Sequence, residues 1–186
     1  MIPPPSQDVR EYIKALGSIA VYACTRLSDG RELLGVSPDP WQQAIDDGGC
    51  SIWWIRWVYG TAEATIAMAQ IYHAGTTKDA MLRHPTERAR LTWAIEFCEP
   101  NILGASHEHA LRIAEHAVAK VSTAFKTLKA KGELREVGRQ YREDRKKAEQ
   151  EGKDFEQWEA VEERYRLFMI RMAAGQVADR FKRRAG

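Results

Sequence analysis

His107, His109 and His116, with Glu108 and Glu115 beside them, are the side chains whose types could hold a metal ion. Their spacing opposes a shared ion. Ligands four residues apart share one face of a helix, whereas His107 and His109 stand two apart and point to opposite sides. His109 and His116 share a face, but two helical turns separate them by about 10 Å. Exposed or helix-capping histidines, and no bound metal, are expected. Cys98 and Glu99, with His73 or His84, offer the groups of a thiol enzyme, yet nothing in the sequence fixes their geometry. The chain contains no GxSxG, Walker A, GxGxxG or HExxH pattern, so acyl-hydrolase, P-loop and dinucleotide chemistry lack a motif. No cofactor is expected.

Charge and apolar patterning speak for binding. Through residue 125 the chain has 11 Lys and Arg against 14 Asp and Glu; from residue 126 it has 17 against 12. It finishes on Arg180, Lys182, Arg183 and Arg184, a basic end that can track a phosphate backbone or complement the negative pole of a solvated helix. Ahead of that end, Phe155, Trp158, Val161, Tyr165, Phe168, Met169 and Met172 recur at helical spacing as a stripe that must be buried. Another helix of this chain, a protein partner or a second copy forming a homodimer would cover it, with Phe155, Trp158, Tyr165, Phe168 and Met172 as contacts.

A folded scaffold has to position these groups, and the composition allows one. The 186 residues are 44% hydrophobic and 29% charged, enough for one ordinary domain or two small ones. No apolar run reaches the roughly 18 residues of a membrane helix, and MIPPPSQDVREY lacks the apolar stretch of a secretory signal. A soluble, cytoplasmic protein with no membrane partner is expected. Cys24, Cys50 and Cys98 are widely spaced and odd in number, which fits reduced, mostly buried thiols.

The first part reads as mixed α and β. Ser6 is placed to cap a short helix through Tyr12 and Ile13 that Gly17 ends. Ile19–Arg26 and Arg31–Val36 flank the turn Ser28-Asp29-Gly30, which predicts a β-hairpin. Asp39 as N-cap and Pro40 at the first helical position open a second helix, stopped at Asp46-Asp47-Gly48-Gly49. Cys50–Tyr59 is a strand rich in tryptophan and isoleucine, and Gly60-Thr61 opens a helix to His73. The predicted order after the first short helix is β-β-α-β-α. Beyond residue 77 the pattern is helical throughout: Pro85-Thr86 to Glu99, Ser106 to about Gly132, a polar helix toward Gly152, and the apolar stripe. The fold class is therefore α+β, with an α+β domain at residues 1–76 and an α-helical module at 77–186.

Ala20-Val21-Tyr22 on the first strand, Leu33-Leu34-Gly35 on the second, and the following GVSPDPWQQAIDDGG together resemble the GIY-YIG nuclease superfamily, in its divergent phage-type branch. The resemblance covers residues 19–73. It implies a nuclease-type fold and contact with DNA through a strand edge and the adjoining helix, where this chain offers Tyr22, Arg26, Arg31, Trp41 and Arg56. The arginines would meet phosphates and Trp41 would stack on a base. Alternatively Tyr22 is core, Arg26 and Arg31 are paired hairpin charges, and Trp41 packs on the sheet. The segment from Gly132 to Trp158 also resembles small helical modules of phage and mobile-element proteins.

The departures from the family pattern are chemical. Its arginine falls near Gln43 and its metal-binding glutamate at Ala69 or Gln70. Without that cation, charge on the scissile phosphate is not neutralised, and without the carboxylate no divalent ion is held to activate water. Glu63 is on the same helix, about 120° round the axis from Ala69. The resemblance thus implies a nuclease fold without nuclease chemistry, acting as a regulatory or accessory factor of phage or mobile-element type. An active divergent nuclease relying on Glu63, and an adaptor protein working through its helical half, are the alternatives.

Overall fold

The computed structural model describes residues 1–130 and 132–152. The fold is α+β, a four-stranded antiparallel sheet with seven α-helices among the described residues. The chain divides into two units, Met1–Ile113 and Ala114–Gly186. The sequence reading places a boundary at 76/77; beyond it, Ala94, Ile95, Cys98 and Ile102 share the core under the sheet.

Helix α1 (Gln7–Ala15) buries Val9, Tyr12 and Ile13. Ser6 stands at its N-cap but makes no side-chain capping bond, so the sequence-based assignment of that cap is corrected. Strands β1 (Ser18–Arg26) and β2 (Glu32–Ser37) form the expected hairpin, paired from Ala20–Ser37 to Thr25–Glu32. Helix α2 (Pro40–Asp46) starts as its residues dictate, with the Asp39 side chain accepting from the Gln42 N–H and Pro40 in the first turn. Strand β3 (Cys50–Tyr59) pairs antiparallel with β1, and a bulge between Ala23 and Cys24 leaves Trp53 without a partner in the ladder.

Helix α3 (Thr61–Gly75) follows, then α4 (Lys78–Arg83) and α5 (Glu87–Cys98), the last two capped by the hydroxyls of Thr77 and Thr86. One 3₁₀ turn, Glu99–Asn101, leads to the two-residue strand β4 (Ala105–Ser106) against Arg56 and Trp57. The sheet order is β2-β1-β3-β4. Ser106 ends this edge strand and also starts the next helix as the sequence predicts, its hydroxyl accepting from the His109 N–H at 3.4 Å; Gly104 makes the approach possible, since a Cβ there would lie 2.1 Å from the Trp57 carbonyl oxygen. Helix α6 (His107–Ala130) begins directly after β4.

The strands bury both faces. Along β1, alternation sends Ile19, Val21 and Ala23 to one side and Ala20, Tyr22 and Cys24 to the other. Val21 and Ala23 share a core with Val58, with Ala64, Ala67, Ile71 and Ala74 of α3, and with Ala94, Ile95 and Cys98 of α5. The alanines let α3 and α5 lie close together and close to the sheet. The opposite face receives α1 and α2, where Trp41 packs on Trp57 at 6.2 Å between ring centroids. In the second unit, α6 buries Ala114, Ala117 and Val121, and α7 (Glu133–Gln150) buries Ala148. The expected apolar stripe from Phe155 to Met172 and the basic end from Arg180 to Arg184 lie outside the described residues. Among the described residues no helix is long and apolar enough to cross a membrane.

Candidate functional site

Tyr22 sits at the centre of the sheet opposite Gly35 on β2 and Ile55 on β3. Its ring lies so close over Gly35 that a Cβ there would be 2.3 Å from the Tyr22 Cζ. Only glycine leaves room for it. Tyr22 is 2% exposed, and burial raises its phenol above the ordinary value. This ring is core, which corrects its placement on a nucleic-acid surface.

Trp41 is likewise withdrawn from solvent, 7% exposed, with its indole N–H donating to the Ile2 carbonyl at 3.3 Å. Base stacking needs an open ring face, so Trp41 is corrected from a stacking platform to a packing residue. Arg56 pairs with Val21 in the ladder, which places it on the face away from Tyr22 and Trp41. There it donates to the Ile102 carbonyl at 3.2 Å and meets Glu99 at 3.6 Å. Its Nε is buried with no partner. Arg26 is bound through its Nε to Asp29 at 2.9 Å across the hairpin turn. Arg31, with 72% of its side chain exposed, has the same carboxylate at 3.8 Å. The five sequence-predicted residues thus do not form one surface; Arg26 and Arg31 alone come together, at the hairpin end.

The residues that the resemblance aligns with the nuclease arginine and glutamate lie apart. Gln43 on α2 donates to Asp47 at 3.0 Å. Ala69 and Gln70 are exposed on α3, on the other side of the sheet. Glu63 is exposed in the first turn of α3, its carboxylate folded back beside Gly60. Neither Gln43 nor Ala69 supplies the charge or ligand that phosphodiester cleavage requires.

Three side-chain clusters escape the sequence pattern. The first gathers Thr25, Glu32, Trp53 and Arg88. Glu32, with 9% of its side chain exposed, accepts from Thr25 at 3.0 Å, from the Trp53 indole at 2.9 Å and from Arg88 at 3.3 Å. The Arg88 guanidinium lies 3.5 Å from the Trp53 ring centroid, so the bulged tryptophan is held by its edge and its face together. Arg88 stands 56 residues after Glu32, and no local pattern announces such a pairing.

The second cluster joins Trp41, Trp57 and His107. The Trp57 indole donates to His107 Nδ1 at 3.2 Å, and the His107 ring lies 5.7 Å from Trp41. Burial holds the imidazole below its ordinary value of 6.5. His107 is therefore neither exposed nor a cap, which corrects the reading from spacing; His109 and His116 are exposed. The third ties α1 to α2. Asp39 receives Arg10 at 2.5 Å and Lys14 at 2.9 Å besides capping α2. Burial pushes its carboxyl up, but hydrogen bonds from Lys14, Arg10 and the Gln42 N–H together outweigh burial and leave it below 3.8.

In comparison with known proteins, no family model, curated protein or solved structure matches the chain.

Proposed function

We propose that this chain is a non-catalytic regulatory or accessory protein that associates with nucleic acid in the cytoplasm, built on a degenerate GIY-YIG-like framework of phage or mobile-element type. The observation that carries the reading is the pair Tyr22 and Gly35. The Tyr of AVY and the Gly of LLG, 13 positions apart, face each other across the hairpin in direct contact. The Asp39-Pro40 helix start follows as the resemblance leads one to expect. Gln43 and Ala69 or Gln70, which the resemblance aligns with the family's arginine and glutamate, lie on opposite sides of the sheet and offer neither the charge nor the ligand of cleavage, so the reading is of binding alone. Contact falls to Arg31 and Arg26 at the hairpin end and to Arg180, Lys182, Arg183 and Arg184.

The test is fluorescence anisotropy of the full chain against labelled duplex and single-stranded DNA at two salt concentrations with magnesium, followed by a gel of the DNA. Binding that weakens steeply with salt while the DNA stays intact is the expected result. A variant with Arg180, Lys182, Arg183 and Arg184 all replaced by Gln should lower the salt slope on duplex DNA by about 0.9 for each phosphate it no longer neutralises. Magnesium-dependent cleavage abolished by Glu63→Ala would establish an active nuclease instead. No binding at either salt would overturn nucleic-acid association and turn attention to a protein partner.

A further inference from the structure

Cys24 and Cys50 are 26 positions apart in sequence and are brought together by the sheet. Cys24 pairs with Ile52 in the β1–β3 ladder and Arg26 pairs with Cys50, so the two cysteines lie diagonally on the same face. Both thiols are free. A diagonal pair in a regular sheet is wider than a disulfide allows, at roughly 7–8 Å between backbones against a usual 5.5–6 Å. Bridging therefore requires the strand ends to draw together, and the backbone can give at two places: the bulge at Trp53 beside Cys24, and Gly48 and Gly49, which lead directly into Cys50.

The geometry points to Cys24 and Cys50 as a reversible dithiol–disulfide modification site that takes a peroxide as its oxidant. Cys50 is half-buried and Cys24 is 1% exposed, so the peroxide reaches Cys50 first. The Cys50 thiolate attacks the peroxide O–O bond and becomes a sulfenic acid, releasing water from hydrogen peroxide. The Cys24 sulfur then displaces the sulfenic hydroxyl, which leaves as a second water with the thiol proton, and the S–S bond forms. Two thiols and one hydrogen peroxide give one disulfide and two waters. Burial first, and then the neighbouring Cys50, push the Cys24 thiol up to about 12. Cys98, on the other face of the sheet in the α3–α5 core, takes no part.

This inference does not depend on the nucleic-acid reading. The folded full chain is exposed to hydrogen peroxide, blocked with a thiol alkylator without reductant, and digested with trypsin. The three cysteines fall in separate peptides, 15–26, 32–56 and 91–112. The expected product is 15–26 linked to 32–56, two hydrogens lighter than the sum and released by dithiothreitol. Cys24→Ala keeps a small apolar group in the buried position; in that variant Cys50 should stay as a sulfenic acid trapped by dimedone, with circular dichroism confirming the fold. A link involving Cys98, a link only between chains, or alkylation of both Cys24 and Cys50 after peroxide treatment that oxidises Cys98 would overturn the assignment.

Discussion

Asp39→Ala should destabilise the first unit by about 2–4 kcal/mol. Losing the N-cap bond to the Gln42 N–H accounts for about 1 kcal/mol of this. The rest comes from Arg10 and Lys14, whose side chains are 25% and 36% exposed against 11% for Asp39. Exposed pairs contribute at most about 1 kcal/mol and fully buried ones about 3–5 when broken, so a half-screened pair of contacts is worth about 1–3. Arg10 makes the loss harder to absorb, because its Nε is already buried without a partner. In urea, with a slope of about 2 kcal/mol per molar, the midpoint should fall by about 1–2 M.

Asp39→Asn separates the two contributions. The amide oxygen still accepts from Gln42, so that variant should lose about 1 kcal/mol less. A pH series gives the sign. The folded carboxyl titrates below 3.8, its ordinary value, so its contribution is whole above that value and is lost as pH falls through the folded one. The parent should lose stability over that window while Asp39→Asn does not lose this increment. An unchanged urea midpoint for Asp39→Ala would refute the reasoning outright, and equal losses for Ala and Asn would remove the cap from it.

Gly35→Ala should cost about 1–3 kcal/mol by driving a Cβ into the Tyr22 ring, and a Tyr22→Leu background should relieve part of that cost; strictly additive effects in a thermal-unfolding cycle would contradict the contact. Arg88→Ala should cost about 1–3 kcal/mol by leaving the Glu32 carboxylate and the Trp53 face without their cation, seen in chemical unfolding. Arg88→Lys should restore little of it, since an ammonium cannot both cover the indole and reach Glu32 as a planar guanidinium does. His107 is held neutral by burial, so its contribution is whole above pH 6.5 and is lost as pH falls below that value. Thermal unfolding of the parent between pH 7 and 5 should therefore be steeper in pH than that of His107→Phe, and parallel curves would show that the imidazole stays neutral without cost.

Local chemistry fixes much of this chain in advance. The hairpin is written in two β-rich runs around Asp29-Gly30, α2 in Asp39-Pro40, and β3 in the ten residues from Cys50 to Tyr59, because turn, cap and strand preferences act between neighbours in sequence. Which way each side chain faces is another matter. A Trp or Tyr type does not say whether its ring is open, and tertiary packing buried Trp41 and Tyr22 while leaving Phe97 64% exposed. β4 is two residues long and exists only because Gly104 lets the chain meet the edge of β3. The bulge at Trp53, the Trp53–Glu32 and Arg88–Glu32 contacts, the Trp57–His107 bond and the shared sheet face of Cys24 and Cys50 all join segments at least 21 positions apart. Such contacts depend on sheet register and helix docking, which are properties of the whole fold that no window of sequence contains.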